Sequence, residues 1–186
     1  MANYGASEPY FALIDTENTS GLPTYKEGVK LANLISCSDN PTFTKATLYA
    51  DNAKAEEVEE FISADIDVSL DDVSIETKSL IFGAAVNEDQ ELEYKGNDTS
   101  PYGGYGFFAC KLRNNVRRYL CILYPKVKAT LGGVSHSTKG ETITFAPDSV
   151  RFSAAETEAH TWKVEKEFPT EAEARAWIKE KLNITA

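Results

Sequence analysis

Asp65 and Asp67 stand two residues apart in "FISADIDVSL". On an extended strand they share one face at a separation of roughly 7 Å, from the rise of about 3.3 Å per residue. Paired carboxylates can serve as the acid and nucleophile of a glycosidase, but no aromatic cleft is evident around this pair, and a solvated strand face is the reading kept. The two histidines, His136 and His160, have no second histidine or cysteine at ligand spacing. In "SHST" the serines and His136 alternate across a strand and point to opposite faces. No GxSxG, P-loop or GxGxxG is present, and "YGGYGFF" opens no helix, so it does not cradle phosphate. "NEDQELEYKGND" has acids and a glycine without the spacing of a calcium loop. Cys37, Cys110 and Cys121 are odd in number and lack CxxC spacing, which fits small buried side chains better than a disulfide or zinc site. No catalytic residue, metal or cofactor is expected.

Net charge is −10 over 186 residues. A chain that wraps a nucleic-acid backbone needs Lys and Arg to displace counterions, so that role is excluded; standing beside DNA and repelling it is not. The longest apolar runs fall short of a membrane span. "MANYGASEPYFALID" has neither a basic start nor a long apolar run, so no signal peptide is expected and synthesis in a cytoplasm is. The sequons at Asn18, Asn97 and Asn183 carry no meaning without secretion.

The elements that must hold these residues are mostly strands, read from period-two alternation and short apolar runs between turn residues. Residues 1–10 are an N-terminal arm, and 10–15 the first strand. Residues 29–38 form a second strand ended by "DNP", and 42–50 a third. "DNAKAEEVEE" (51–60) is a long polar hairpin loop. In 61–70, Ile62, Ala64, Ile66, Val68 and Leu70 take one face and Phe61, Ser63, Asp65, Asp67 and Ser69 the other. The period becomes helical over 71–83, where acids open the helix and Gly83 can close it. "SPYGGYG" reads as a flexible turn.

Residues 107–125 form a hairpin with Asn114-Asn115 at its tip, where positive φ is tolerated. A two-residue turn sets Arg113 opposite Val116 and Cys110 opposite Tyr119. Phe108, Cys110, Leu112, Tyr119, Cys121 and Leu123 then make a core face, while Phe107, Ala109, Leu120 and Ile122 share the other with Lys111 and Arg118. The run 141–155 changes face at Pro147, and 161–168 is a last strand. In "FPTEAEARAWIKEKL" Thr170 and Glu173 form a capping box, and Trp177 is the expected anchor of a C-terminal helix over 170–182. The inventory is mainly β: a single β-sandwich or barrel domain of roughly eight to ten strands, with one short internal helix and a C-terminal helix.

Thr47–Gly83, "TLYADNAKAEEVEEFISADIDVSLDDVSIETKSLIFG", resembles the major tail proteins of long-tailed bacteriophages, the phi13-like tail tube family. The likeness lies in a "YADN" strand end, an acidic hairpin, an alternating strand and an acid-opened helix ending in "FG". "ACKLRNNVRRYLCILYPKVKATLGG" followed by "STKGETITFAPDSVRFSAA" is similar to the family's second half. In order, the resemblance covers roughly Tyr10 to Ala155. The helix departs from the proline-aspartate opening often seen, and Thr161–Ala186, with its tryptophan and capped helix, is not aligned with the family.

The resemblance implies a structural virion protein: a tail tube subunit that forms stacked hexameric rings. The tape-measure and tail terminator or tip proteins are its partners, and DNA passes through the bore without specific binding. It implies a place in the virion tail after synthesis in the bacterial host cytoplasm. Asp65 and Asp67 would then line the lumen and repel phosphate. Asp51, Asn52, Lys54, Glu56 and Glu57 would reach a neighbouring subunit. The second apolar face of the 107–124 hairpin, with Phe107, Leu120 and Ile122, would meet a neighbour too. The alternatives are a tube-forming protein of a secretion or contractile machine, and a monomeric β-sandwich binding module using Tyr102, Tyr105 and Trp162.

Overall fold

A computed structural model describes residues 2–50, 53–132 and 147–185. The strands are β1 (Ala2–Thr16), β2 (Thr24–Tyr25), β3 (Val29–Lys30), β4 (Leu34–Ala50) and β5 (Ala53–Leu70). Then follow α1 (Ile75–Phe82), β6 (Ala85–Val86), β7 (Leu92–Glu93), β8 (Tyr102–Arg113), β9 (Val116–Thr130), β10 (Asp148–Ala154), β11 (Val164–Phe168) and α2 (Glu171–Lys181). The fold is mainly β, as the alternation predicts.

Nine strands form one antiparallel sheet in the order β2-β1-β8-β9-β10-β5-β4, with β3 beside β1 and β11 beside β9; β6 and β7 make a separate small hairpin. The sheet curls on itself. Phe152 on β10 stacks on Phe11 of β1 with ring centroids 5.6 Å apart, and on Tyr105 of β8 at 5.0 Å, although β10 and β1 are not adjacent in the sheet. Around this trio lies the main core, with Ile66, Val68, Leu70, Phe107, Tyr124 and Val150. A second core lies on the opposite side of β8 and β9. There Phe108, Cys121 and Leu123 pack beneath Ala174, Ile178 and Leu182 of the C-terminal helix region.

Two cores explain why both faces of the β8/β9 hairpin are apolar, and they correct the assignment of those faces. Phe107 is 5% exposed and Leu120 6% exposed, inside this chain; Ile122 is half-buried against the main core. The face expected to meet a neighbour is the interior of the curled sheet. The face expected to be the only core is the one under α2, and its tip residue Leu112 is exposed. Trp177 does not anchor the helix. It is half-buried against Phe168, with ring centroids 6.0 Å apart, while Ile178 and Leu182 are fully buried.

The hairpin turn follows its sequence. Asn114 and Asn115 take φ of 51° and 62°, Arg113 pairs with Val116, and Cys110 pairs with Tyr119. Thr170 caps α2 by accepting from the Glu173 amide. Ser74 caps α1 by accepting from the Thr77 amide, and Gly83 closes it at φ 69°; the helix is shorter at its start than expected because Asp71 folds back. Its carboxylate accepts from the Asn33 side chain and from the Asn33 and Asp72 amides.

Three local readings are corrected. Residues 1–10, expected as an arm, belong to β1 from Ala2 onward and pair with β8 from Ala2↔Leu112. "DNP" does not end a strand: β4 continues through Asp39, Asn40 and Pro41. Proline is tolerated there because β4 is the last strand of the sheet, where a missing N–H leaves no broken inner ladder. "SPYGGYG" is not a flexible turn, since Tyr102–Gly106 belong to β8 and Gly103, Gly104 and Gly106 are buried.

Candidate assembly surfaces

β5 pairs with β10 only over Ala64–Leu70. Among the described residues, the remainder of β5, from Ala53, pairs with β4 alone. The stretch expected as a polar loop over 51–60 is therefore two-stranded ribbon from Ala53, about eleven residues or roughly 36 Å beyond the sheet body. Asp51 and Asn52 lie outside the described residues; Lys54 pairs with Tyr49 in the ladder.

At the base of the ribbon the register skips one residue: Thr42 faces Ser63, but Phe43 faces Phe61. The extra residue, Ile62, is a bulge. One inserted residue exchanges the faces of everything beyond it. Phe61 thus turns to the core side, where it stacks on Trp162 at 4.6 Å and meets Phe43 edge-on at 5.8 Å. Ile62, expected in the core, is 56% exposed. Above the bulge Glu56, Val58 and Glu60 share one exposed face, with Val58 53% exposed. Glu57 and Glu59 take the other, where Lys45 pairs with Glu59 at 3.3 Å.

Asp65 and Asp67 do lie on the outward side of β5, as the alternation predicts, but not on a wall of carboxylates. Asp67 faces Arg151 across the ladder and accepts from its Nε at 2.7 Å. That partner holds the Arg151 guanidinium above its ordinary pKa. Lys128 stands opposite Ser153, which stands opposite Asp65. Lys126 and Lys128 lie over the Tyr102 ring at 5.1 and 5.6 Å. The outward face is of mixed sign, and Asp65 is its exposed carboxylate without an ion-pair partner among the described residues.

A groove of about 540 Å³ runs between the first half of β1 and the first half of β4. Phe107, Leu120 and Ile122 form its floor, with Tyr4, Lys111 and Lys163 at the rim. The sheet curls far enough to bring β1 near β4 but forms no ladder between them, and the groove is that unclosed seam. Asp39 sits in it, accepting from Tyr124 Oη at 2.8 Å and from Lys163 Nζ at 2.8 Å. Burial pushes the Asp39 carboxyl up, but Lys163 and Tyr124 outweigh it and hold the carboxyl below its ordinary range. Sequence reading missed Asp39 because "DNP" looks like a turn; a polar residue in an edge strand was the signal.

The second missed cluster ties the N-terminus to α2. Glu8 takes φ 53° in a bulge of β1. It accepts from Arg175 Nε at 2.7 Å, from Arg175 Nη2 at 2.6 Å and from Tyr10 Oη at 2.8 Å. The Arg175 pair chiefly holds the Glu8 carboxyl below its ordinary range.

Glu8 and Asp39 both have depressed carboxyls, so their stabilisation is complete above the unfolded values of 4.5 and 3.8 and is lost as pH falls through the lower folded values. In acid titrations followed by circular dichroism, Asp39→Asn should be less stable than wild type at pH 7, and the gap should begin to close only as pH falls below about 4. A constant gap down to pH 2 would remove the Asp39 pairing from the account.

Burial quiets two of the three thiols. Burial pushes Cys37 up to about 11 and Cys121 up to about 12. Since only the thiolate attacks, iodoacetamide at pH 8 should label both at least tenfold more slowly in the folded chain than in urea; equal rates would contradict the packing.

The β8/β9 tip is basic. Arg113, Arg117 and Arg118 are exposed beside Val116, itself 55% exposed. None of the three arginines is ion-paired with a described residue, whereas Lys111 pairs with Glu167 at 2.8 Å. Tyr105 is fully buried and Trp162 is engaged with Phe61, so of the three aromatics suggested for a binding module only Tyr102 is exposed. Among the described residues no three His, Cys, Asp or Glu side chains converge as metal ligands, and no helix is long and apolar enough to cross a membrane.

No family model matches the chain, and no curated protein matches it.

Proposed function

We propose that this chain is a structural tube-forming subunit of the phage major tail protein kind, which assembles into stacked hexameric rings around a bore for DNA. The observation that carries this reading is the β4/β5 ribbon. A two-stranded hairpin alone is marginal in water, yet this one extends about eleven residues past its last third-strand contact. It exposes Val58 and Ile62, and among the described residues nothing pairs with the outer edge of its 17-residue strand. Such a ribbon is stabilised by a surface on another molecule, and an open edge that recruits copies of itself is an assembly device. The sequence likeness over Tyr10–Ala155 supports the same role.

In this reading the outward face of β5 borders the bore. Asp65 contributes the uncompensated charge there, and Arg151 holds Asp67 in place. Negative-stain microscopy and light scattering of the purified protein test the assembly: rings or tubes are expected, and a monomer at high concentration, also in the presence of its tail partners, would overturn it. Asp65→Lys together with Asp67→Lys should leave tubes intact and slow DNA ejection. Unchanged ejection through intact tubes would move the bore to another face.

The groove over Phe107 favours a second reading, a monomeric β-domain that binds a ligand in the seam between β1 and β4. It requires the isolated chain to remain monomeric, so the same light-scattering measurement separates the two. A tube of a secretion or contractile machine shares the geometry, and a tape-measure gene downstream would favour the phage.

A further inference from the structure

We infer that the ribbon face bearing Glu56, Val58 and Glu60 docks on the β8/β9 tip of a second copy of this chain, beside it in the same ring. This rests on the assembly reading and adds to it which surfaces meet and in which direction. The two surfaces match in kind. On the ribbon, exposed Val58 is flanked along its strand by Glu56 and Glu60, which side-chain alternation places on the same face. On the tip, exposed Val116 is flanked by Arg113, its cross-strand partner, and by Arg118, two residues along β9. Directly paired residues and residues two apart share a face, so Arg113, Val116 and Arg118 form one patch. An apolar centre with a charged rim is the usual anatomy of a protein interface, and here the rims are of opposite sign.

The direction follows from the ladder. Ala64 on β5, Ala154 on β10 and Val127 on β9 lie in one row. β5 and β9 are each antiparallel to β10, so they run the same way. Ala53 stands eleven residues before Ala64, and Val116 eleven before Val127. Ribbon and basic tip therefore project from the same end of the molecule, to within about two residues of the same height once the ribbon's bulges are counted. The twist between adjacent strands, about 20–25° each, splays them sideways. A copy stacked end to end would set a ribbon against the opposite pole. A copy rotated about an axis along the strands sets it level with the neighbour's tip. That contact is head-to-tail around the axis, the kind that closes into a ring.

The test uses two charge reversals, E56K/E60K and R113E/R118E, with the neutral pairs E56Q/E60Q and R113Q/R118Q as milder variants. Assembly is read by light scattering and negative stain, and folding by thermal unfolding. Each reversal alone should raise the concentration needed for rings at least tenfold, and each neutral pair should do so by less. An equimolar mixture of the two reversals should restore rings, because alternating copies then present complementary rims at every contact. Wild-type rings should need more protein as salt rises from about 0.05 M to 0.5 M, where screening shortens to a few ångströms. Rings that form equally well from each reversal, or a mixture that rescues nothing, would overturn the docking while leaving the tube reading intact. A wild type that never assembles would remove both.

Discussion

Phe152→Ala is expected to cost about 3–5 kcal/mol, the range for truncating a buried aromatic. In a chain of this length that corresponds to roughly 6–20 °C in melting temperature. Phe152 is fully buried and is the ring on which the curled sheet closes. It stacks on Phe11 with ring planes 16° apart and on Tyr105 at 25°, while its own strand pairs with β5 on one side and β9 on the other. Truncation would open a cavity bordered by strands that cannot collapse inward without breaking ladders. Urea unfolding of the variant checks this. A loss below about 1 kcal/mol would mean that the two arms of the sheet do not meet at this ring.

Gly103→Ala should cost about 2–3 kcal/mol, at the upper end for overpacking. A Cβ at this position would stand 2.4 Å from the tip of the Phe11 ring and 2.6 Å from the Ala12 carbonyl oxygen. In a loose core the ring could swing aside, but the carbonyl belongs to β1, which is laddered to β8 across Leu13↔Gly103. The backbone itself must move. Gly96→Ala is the control, since a Cβ there meets nothing within 4 Å, and it should leave unfolding unchanged. Equal stability of the two variants would remove close strand packing as the reason for a glycine at 103.

That glycine also marks the limit of what sequence could say. "YGGYG" reads as flexible because glycine is most often a matter of φ, yet its reason here is contact with Phe11, some ninety positions away in the chain. By contrast the Asn114-Asn115 turn was legible because its determinant is local: two residues that tolerate positive φ between alternating strands. The core face of β5 was legible from Ala64 to Leu70 and failed at Ile62, where a bulge exchanged it with Phe61. Both residues are apolar, so the pattern held no sign of the skipped pair. For the 107–124 hairpin, two apolar faces were visible, but not what covered each. The curled sheet covers one and α2 the other, and neither relation is encoded within the hairpin. The carboxylates Asp65 and Asp67 were placed on the outward side correctly, while their sign was overestimated because Arg151 and Lys128 arrive from strands distant in sequence.

Pro41 sits near the middle of β4, the strand that ends the sheet. Proline has no N–H to donate, so a strand laid along this border gains no donated bond at Pro41. The border is thereby divided into a lower stretch beside the seam and an upper stretch on the ribbon. In the assembly proposed, this break would oppose indiscriminate fibre growth and leave the upper stretch alone to engage a neighbour.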